Sequence, residues 1–128
     1  MSLTNAFETS TLQYLLTTGS VTRPTAWYVG LFTSDPTDTG AAGTEVSGNG
    51  YTRKAATFTV SGATASNSAS IEFPAASGGN WGTVGWIGIM DAASGGNMII
   101  HSALTTAKAI NDGDVFRIPT GDLDITAS

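Results

Sequence analysis

Cysteine is absent from this chain of 128 residues, and charged side chains make up only 12% of it. Without thiols the chain has no disulfides, no thiolate catalysis and no cysteine-ligated zinc or iron–sulfur site. An average soluble protein has roughly 25% charged residues. A long coiled coil, which needs charged and leucine-rich heptads, and a disordered chain, which is richer in charge, are therefore both excluded.

Positive charge is scarcer still. The sequence has 5 Lys or Arg against 10 Asp or Glu, which gives a formal net charge of −5. The cations form no run longer than the pair Arg53-Lys54. Binding to nucleic acid or to an anionic membrane needs clustered positive charge. The sequence therefore predicts neither a nucleic-acid partner nor a membrane partner.

The first residues contain neither a basic stretch nor a long apolar run. A signal peptide needs both, and a membrane-spanning helix needs about 20 apolar residues. We therefore expect a protein made without a secretory signal and without a transmembrane segment.

Gly, Ala, Ser and Thr make up about half of the chain, which favours β-structure joined by turns. Only residues 2–18 show a helical pattern, with Ser2 or Asn5 as N-cap, Glu8 completing a capping box and Gly19 ending the helix. The apolar residues of this predicted helix fall mostly on one stripe: Leu3, Phe7, Leu12, Tyr14, Leu15 and Leu16.

Residues 26–126 are predicted to form a β-domain, and the whole chain, 1–128, a single domain. The predicted strands span residues 26–33, 54–60, 70–73, 81–91, 98–104, 114–118 and 122–126, with a long polar loop at 35–51 and a small-residue connection at 62–68. In the second strand we expect Ala56, Phe58 and Val60 to share one face. Seven or eight short strands behind one N-terminal helix predict a mainly β fold, an antiparallel β-sandwich or a jelly-roll-like domain.

The hexapeptide Ala-Ala-Ser-Gly-Gly-Asn occurs twice, at residues 75–80 and 92–97. Two copies 17 residues apart are too close and too few for a repeat architecture. They are predicted to be similar loops at the two ends of one strand, residues 81–91. Gly82, Gly85 and Gly88 interrupt this strand, which predicts a bulge or a close backbone approach.

Catalytic and metal-binding patterns are weak. The single histidine, His101, is followed by Ser102, whose side chain would point to the opposite face of a strand, so we predict no catalytic residue. The pairs Asp112 and Asp114, and Asp122 and Asp124, are weak candidates for a calcium site, because turn and surface roles account for them better. No cofactor and no resident metal are predicted.

Two segments are candidates for contact with other proteins. The first is the predicted helix, through Phe7, Leu12 and Tyr14, since such a helix either covers its own sheet or docks on a neighbouring copy. The second is the loop 35–50, through Asp35, Glu45 and Asn49. The tryptophans Trp27, Trp81 and Trp86 are predicted to be core residues, with a glycan-binding platform as the alternative.

The sequence also resembles a family of small structural proteins of tailed bacteriophages, labelled phage tail fibre or tail proteins and similar to small virion decoration proteins. The resemblance covers nearly the whole chain. The segments that carry it are 3–5, 15–16, 28–36, 43–53, 73–76, 81–84, 88–93 and 103–106.

The resemblance implies a non-enzymatic virion component. Because no signal peptide is predicted, we expect it to be made in the host cytoplasm. A chain of this size has a radius of gyration of about 14 Å and no shaft repeat, so it suits a knob, a collar or a cap. We therefore expect a capsid decoration or cement protein that binds the major capsid protein as a homo-oligomer, with a trimer as the first guess. The alternatives are a tail-attached module such as a fibre, collar or baseplate protein and, third, a glycan- or receptor-binding module.

Overall fold

The computed structural model describes residues 2–127, which form ten β-strands and one α-helix. The N-terminal elements are β1 (Ser2–Leu3) and α1 (Asn5–Leu16). The remaining strands are β2 (Tyr28–Phe32), β3 (Lys54–Ala55), β4 (Phe58–Ser61), β5 (Thr64–Asn67), β6 (Ile71–Glu72), β7 (Gly82–Met90), β8 (Met98–Ile110), β9 (Arg117–Ile118) and β10 (Asp124–Thr126). The predicted mainly β, antiparallel fold with one N-terminal helix is confirmed, but the described residues contain more strands than the seven or eight expected.

The strands form three antiparallel sheets. The large sheet has the order β1-β8-β7-β2-β3, the three-stranded sheet the order β10-β5-β4, and the small sheet consists of β6 and β9. The main core joins them: Leu31 comes from the large sheet and Ile71 from the small sheet, and Phe58 of the three-stranded sheet packs against the cluster.

Strands β2 and β7 are buried on both faces. Leu31 lies opposite Ile87, and both belong to the main core. Phe32 lies opposite Trp86 on the other face, where a second cluster forms around Phe32, Met90 and Met98. The alternation of side chains along a strand therefore places a separate core on each face of the large sheet.

The prediction of one strand over residues 54–60 is wrong. Residues of β3 pair with β2 in the large sheet, whereas β4 pairs with β5 in the three-stranded sheet. The chain passes between the sheets at Ala56 and Thr57, so the two ends of the segment do not share a face. Ala56 is buried and Phe58 half-buried, but Val60 is 76% exposed.

The connection predicted at residues 62–68 contains a strand instead. β5 pairs with β4 on one edge and with β10 on the other. At its end the side chain of the buried Asn67 donates from Nδ2 to the carbonyls of Ala69 and Pro119 and accepts at Oδ1 from the Leu123 amide. Small polar side chains have modest β-propensity, so this strand depends on pairing and side-chain bonds with distant segments.

The two hexapeptide copies flank β7, as predicted. The register between β7 and β8 shifts between Val84 and Trp86, which places the expected bulge at Gly85. A Cβ on Gly88 would lie 2.5 Å from Cε of Met98, so this glycine marks a close approach. β8 runs to Ile110, beyond the predicted end at residue 104, and β9 and β10 are shorter than the strands predicted at 114–118 and 122–126.

Candidate interaction surface

The N-terminal helix is shorter than the prediction of residues 2–18. Residues Ser2–Leu3 form β1 and pair with Ile100 and His101 of β8. Thr4 occupies the N-cap position, but its hydroxyl donates to the Met98 carbonyl at 2.7 Å, and no side chain caps the helix. The predicted cap at Ser2 or Asn5 and the capping box with Glu8 are therefore wrong.

The other end of α1 also differs from the prediction. The helix ends at Leu16 and its C-cap is Thr17, in an extended conformation, so Gly19 plays no part in ending it. The amide and the hydroxyl of Thr17 both donate to the Gln13 carbonyl, at 3.2 Å and 2.6 Å.

The base of α1 is fixed to the large sheet and to the long loop. The amide of Thr4 donates to the Ile99 carbonyl at 3.0 Å, and the amide of Asn5 donates to the Asp38 carbonyl at 2.8 Å. The carboxylate of Asp38 also lies 2.9 Å from Nε2 of His101. His101 therefore joins the loop to the sheet at the point where the helix begins, and its hydrogen-bond partner is Asp38.

Beyond this base, α1 has no buried residue. Phe7 is half-buried, whereas Leu12 is 58%, Tyr14 70%, Leu15 65% and Leu16 76% exposed. The sequence left two roles for this helix, covering its own sheet or docking on a neighbouring copy. The structure does not show the first role. The apolar residues of α1 form instead the candidate interaction surface.

A concave groove lies on each side of the ridge formed by Thr11 and Leu15. The large groove, about 700 Å³, lies between α1 and the three-stranded sheet. Its lining includes Val60 and Ile125, which are aligned across that sheet through Ala65. The small groove, about 300 Å³, lies between α1 and residues 21–24. Sequence reasoning missed Val60 because alternation with Phe58 placed it inward.

A partly buried ion pair holds the long loop and the second hexapeptide loop to the sheet. Nε and Nη2 of Arg53 each donate to the Glu45 carboxylate at 2.8 Å. Nη1 donates to the carbonyls of Ala92 and Gly95, also at 2.8 Å. A guanidinium can form all four bonds because its five donors lie in one plane.

The hydroxyl of Tyr51 completes this cluster. It donates to the Glu45 carboxylate at 2.6 Å and accepts from the Leu31 amide at 3.0 Å. Burial, together with the hydrogen bond to Glu45, raises the pKa of Tyr51 far above its ordinary value. The hydrogen bond to Glu45 likewise raises the pKa of Arg53, so the guanidinium stays charged and the phenol neutral.

The three candidate contact residues of the long loop make bonds within the chain. Glu45 is the partner of Arg53. Asn49 donates from Nδ2 to the Asn80 carbonyl at 3.0 Å, and its own carbonyl accepts from the indole of Trp81 at 2.9 Å. Asp35 accepts from the Thr37 amide at 2.9 Å. These side chains hold the two hexapeptide loops and a turn in place.

The four candidate metal-binding aspartates are divided between two places. Asp112 and Asp114 lie in the turn after β8, where Asp114 accepts from the Asn111 amide at 2.9 Å. Asp122 and Asp124 lie beside and in β10, where Asp124 accepts from the hydroxyl of Ser66. Within residues 2–127 no three acidic or histidine side chains are grouped so as to hold a metal ion.

The tryptophans differ in their environments. Trp81 is buried and packs edge-on against Tyr51, which confirms the core prediction for this residue. Trp86 is half-buried against the second cluster, and Trp27 is 37% exposed. The three indoles therefore differ in exposure and do not form one common exposed platform.

The structure is that of a small mainly β protein in which a short helix carries four exposed large apolar residues, Leu12, Tyr14, Leu15 and Leu16. In its described part, no helix has the length and hydrophobicity needed to cross a membrane. The sequence matches the family described as Podophage GP4 fiber I protein gp80 over residues 2–126, and the chain belongs to that family. It is therefore a phage structural protein of the virion. None of the curated proteins matches the sequence.

Proposed function

We propose that this chain is a non-enzymatic component of the phage fibre apparatus that assembles with further copies of itself through α1. The exposed apolar side chains of α1 carry this proposal, above all Leu15 and Leu16, which are 65% and 76% exposed. Exposed apolar patches of this kind mark contacts between proteins.

The helix itself also favours a partner. An isolated helix of 12 residues is marginal in water, because nucleation is costly and few hydrogen bonds repay it. The hydroxyls of Thr9, Ser10 and Thr11 each donate to the carbonyl four residues earlier, which slightly weakens a helix. Since this chain fully buries no residue of α1, a neighbouring copy is the natural source of further packing energy.

The word fiber in the description of the family supports attachment to tail proteins. Capsid decoration, with the major capsid protein as partner, is the second candidate. It is favoured by the three separate sheets, since sheets of five, three and two strands form no shaft. In either place three copies are expected, and weak contacts repeated by symmetry give firm attachment through avidity.

No catalytic role is proposed for His101. Its Nε2 lies against Asp38, and the hydroxyl of Ser102 donates to the Ala103 carbonyl rather than to the imidazole. A histidine and a serine without mutual contact lack the nucleophile–base geometry of hydrolysis.

Cryo-electron microscopy of the intact phage tests where the protein lies. Density that fits residues 2–127 in the tail, with α1 against a second copy, is the expected result. Density repeated over the capsid lattice would replace the fibre proposal by the decoration candidate. Absence of the protein from purified particles, checked by mass spectrometry, would contradict both.

A further inference from the structure

The two grooves beside α1 carry opposite charges. Glu8 is the one charged residue among the described residues that line the large groove, and Arg23 is the one charged residue among those that line the small groove. The rest of both linings is apolar or uncharged. Each flank of the helix is therefore an apolar surface with a single charge, negative on one side and positive on the other.

Neither charge is neutralised within residues 2–127. The ion pairs in this part of the chain are Arg53–Glu45, His101–Asp38 and Arg117–Glu72, and neither Glu8 nor Arg23 takes part in one. Glu8 is also the single charged residue of α1. Both side chains are exposed and available to a partner.

These charges restrict how two copies can meet. If like flanks faced each other, two Glu8 carboxylates or two Arg23 guanidinium groups would lie at one interface, and such repulsion opposes association. If the large groove of one copy faces the small groove of the next, each Glu8 meets an Arg23. The exposed Val60 is then covered by the side of the neighbour that carries Tyr14.

We propose that copies of this chain associate head to tail through the two flanks of α1, with Glu8 of one copy paired with Arg23 of the next. This inference rests on the proposed self-assembly and adds its geometry. When each copy meets one neighbour through its large groove and another through its small groove, the contact continues from copy to copy and closes into a ring when the rotation allows. The partner of each groove is thus a second copy of this chain.

Charge reversal tests the pairing. We expect Glu8→Arg and Arg23→Glu each to weaken self-association of the full chain by about tenfold or more, measured by sedimentation equilibrium. The double variant, which restores opposite charges in reversed order, is expected to recover to within about threefold of the original chain. Glu72→Arg and Arg117→Glu are the matched controls, since neither residue lines a groove.

The absence of cysteine provides a second measurement. Glu8→Cys and Arg23→Cys are purified separately, reduced, and oxidised alone or mixed. The proposal predicts a mixed disulfide between the two variants in the mixture and little disulfide in either variant alone. Because each chain then has one thiol, no bond within a chain can imitate this result.

Three outcomes would overturn the pairing. The first is self-association that both single reversals leave unchanged, and the second is a double variant as weak as the single ones. The third is ready disulfide formation by Glu8→Cys alone, which would place like flanks together. Leu16→Lys separates the two proposals. If one of these outcomes is found but Leu16→Lys disperses the oligomer, assembly through α1 stands and the head-to-tail pairing fails. If the original chain is a monomer at all concentrations, both proposals fail.

Discussion

At the scale of single residues, Arg53 bonds two separate segments of the chain, and amino-acid composition does not indicate such a role. Its guanidinium bonds a carboxylate from the long loop and two carbonyls from the second hexapeptide loop. Only 9% of its side chain is exposed. The sequence shows an arginine beside Lys54 soon after a turn, and nothing in that context reveals four bonds to segments up to 42 residues away.

Replacing this arginine tests its structural role. We expect Arg53→Met to lower the free energy of unfolding by about 2 kcal/mol, because the partly buried Glu45 carboxylate and two carbonyls lose their charged donor. Urea denaturation followed by tryptophan fluorescence measures the change.

Arg117→Met is the control for this substitution. Arg117 and Glu72 are both exposed and 3.9 Å apart, and such surface pairs contribute about 0–1 kcal/mol. Equal destabilisation by the two substitutions would contradict the assignment of Arg53 as the residue that anchors the two loops.

At the scale of elements, local pattern and distant pairing compete. The centre of α1 was predicted, since the spacing of its apolar residues is a local feature. The start predicted at residue 2 was wrong because Ser2 and Leu3 pair with β8 as a strand, so the helix begins at Asn5. The strand predicted at residues 54–60 divides between two sheets for the same kind of reason, because pairing with β2 ends at Ala55.

In the long loop, Gly43 lies against the backbone of another part of the same loop. A Cβ on Gly43 would lie 2.7 Å from the Ser34 carbonyl oxygen and 2.8 Å from the Pro36 nitrogen. Backbone atoms cannot rotate away as a side chain would, so we expect Gly43→Ala to lower the free energy of unfolding by about 2 kcal/mol or more. Thermal denaturation by circular dichroism measures it.

Gly19→Ala is the matched control, since the nearest atom to its added methyl is the Thr17 hydroxyl at 3.6 Å. This variant is expected to unfold like the original chain. A Gly43→Ala variant as stable as Gly19→Ala would mean that the loop does not pack as described.

At the scale of the whole molecule, two cores stabilise the sheets while α1 remains outside both. The main core joins the three sheets, and the second cluster lies on the opposite face of the large sheet. No helical residue belongs to either cluster. Assembly and folding are therefore carried by different residues, and substitutions can separate them.

This separation predicts a melting temperature that depends on protein concentration. Binding between folded copies stabilises the folded state, so we expect the Tm of the original chain to rise over a hundredfold increase in concentration. Leu16→Lys is expected to remove that dependence, because it places a charge in the proposed contact. The lysine should not destabilise the helix itself, since a cation at the C-terminal end of α1 is favourable to the helix dipole. Differential scanning calorimetry measures both.

Val115→Lys is the control, because Val115 is 48% exposed and lies outside α1. It is expected to keep the concentration dependence. A Tm independent of concentration in the original chain would argue against self-assembly.

The sequence by itself determined the class of fold, the N-terminal helix, β2, and β7 between two similar loops. These features follow from composition, apolar runs and turn residues, which act over a few neighbouring positions. The sequence also carried the resemblance to phage structural proteins, and the family match over residues 2–126 confirms it.

Only the tertiary structure decided which apolar residues are left in water. Leu12 and Val60 have the same sequence signature as core residues, yet both are more than half exposed. Tertiary structure also decided that Glu45 and Asn49 hold loops, and that Glu8 and Arg23 lie on opposite flanks of α1. Burial and pairing depend on which distant segments come into contact. The residues immediately before and after a position do not reveal those contacts.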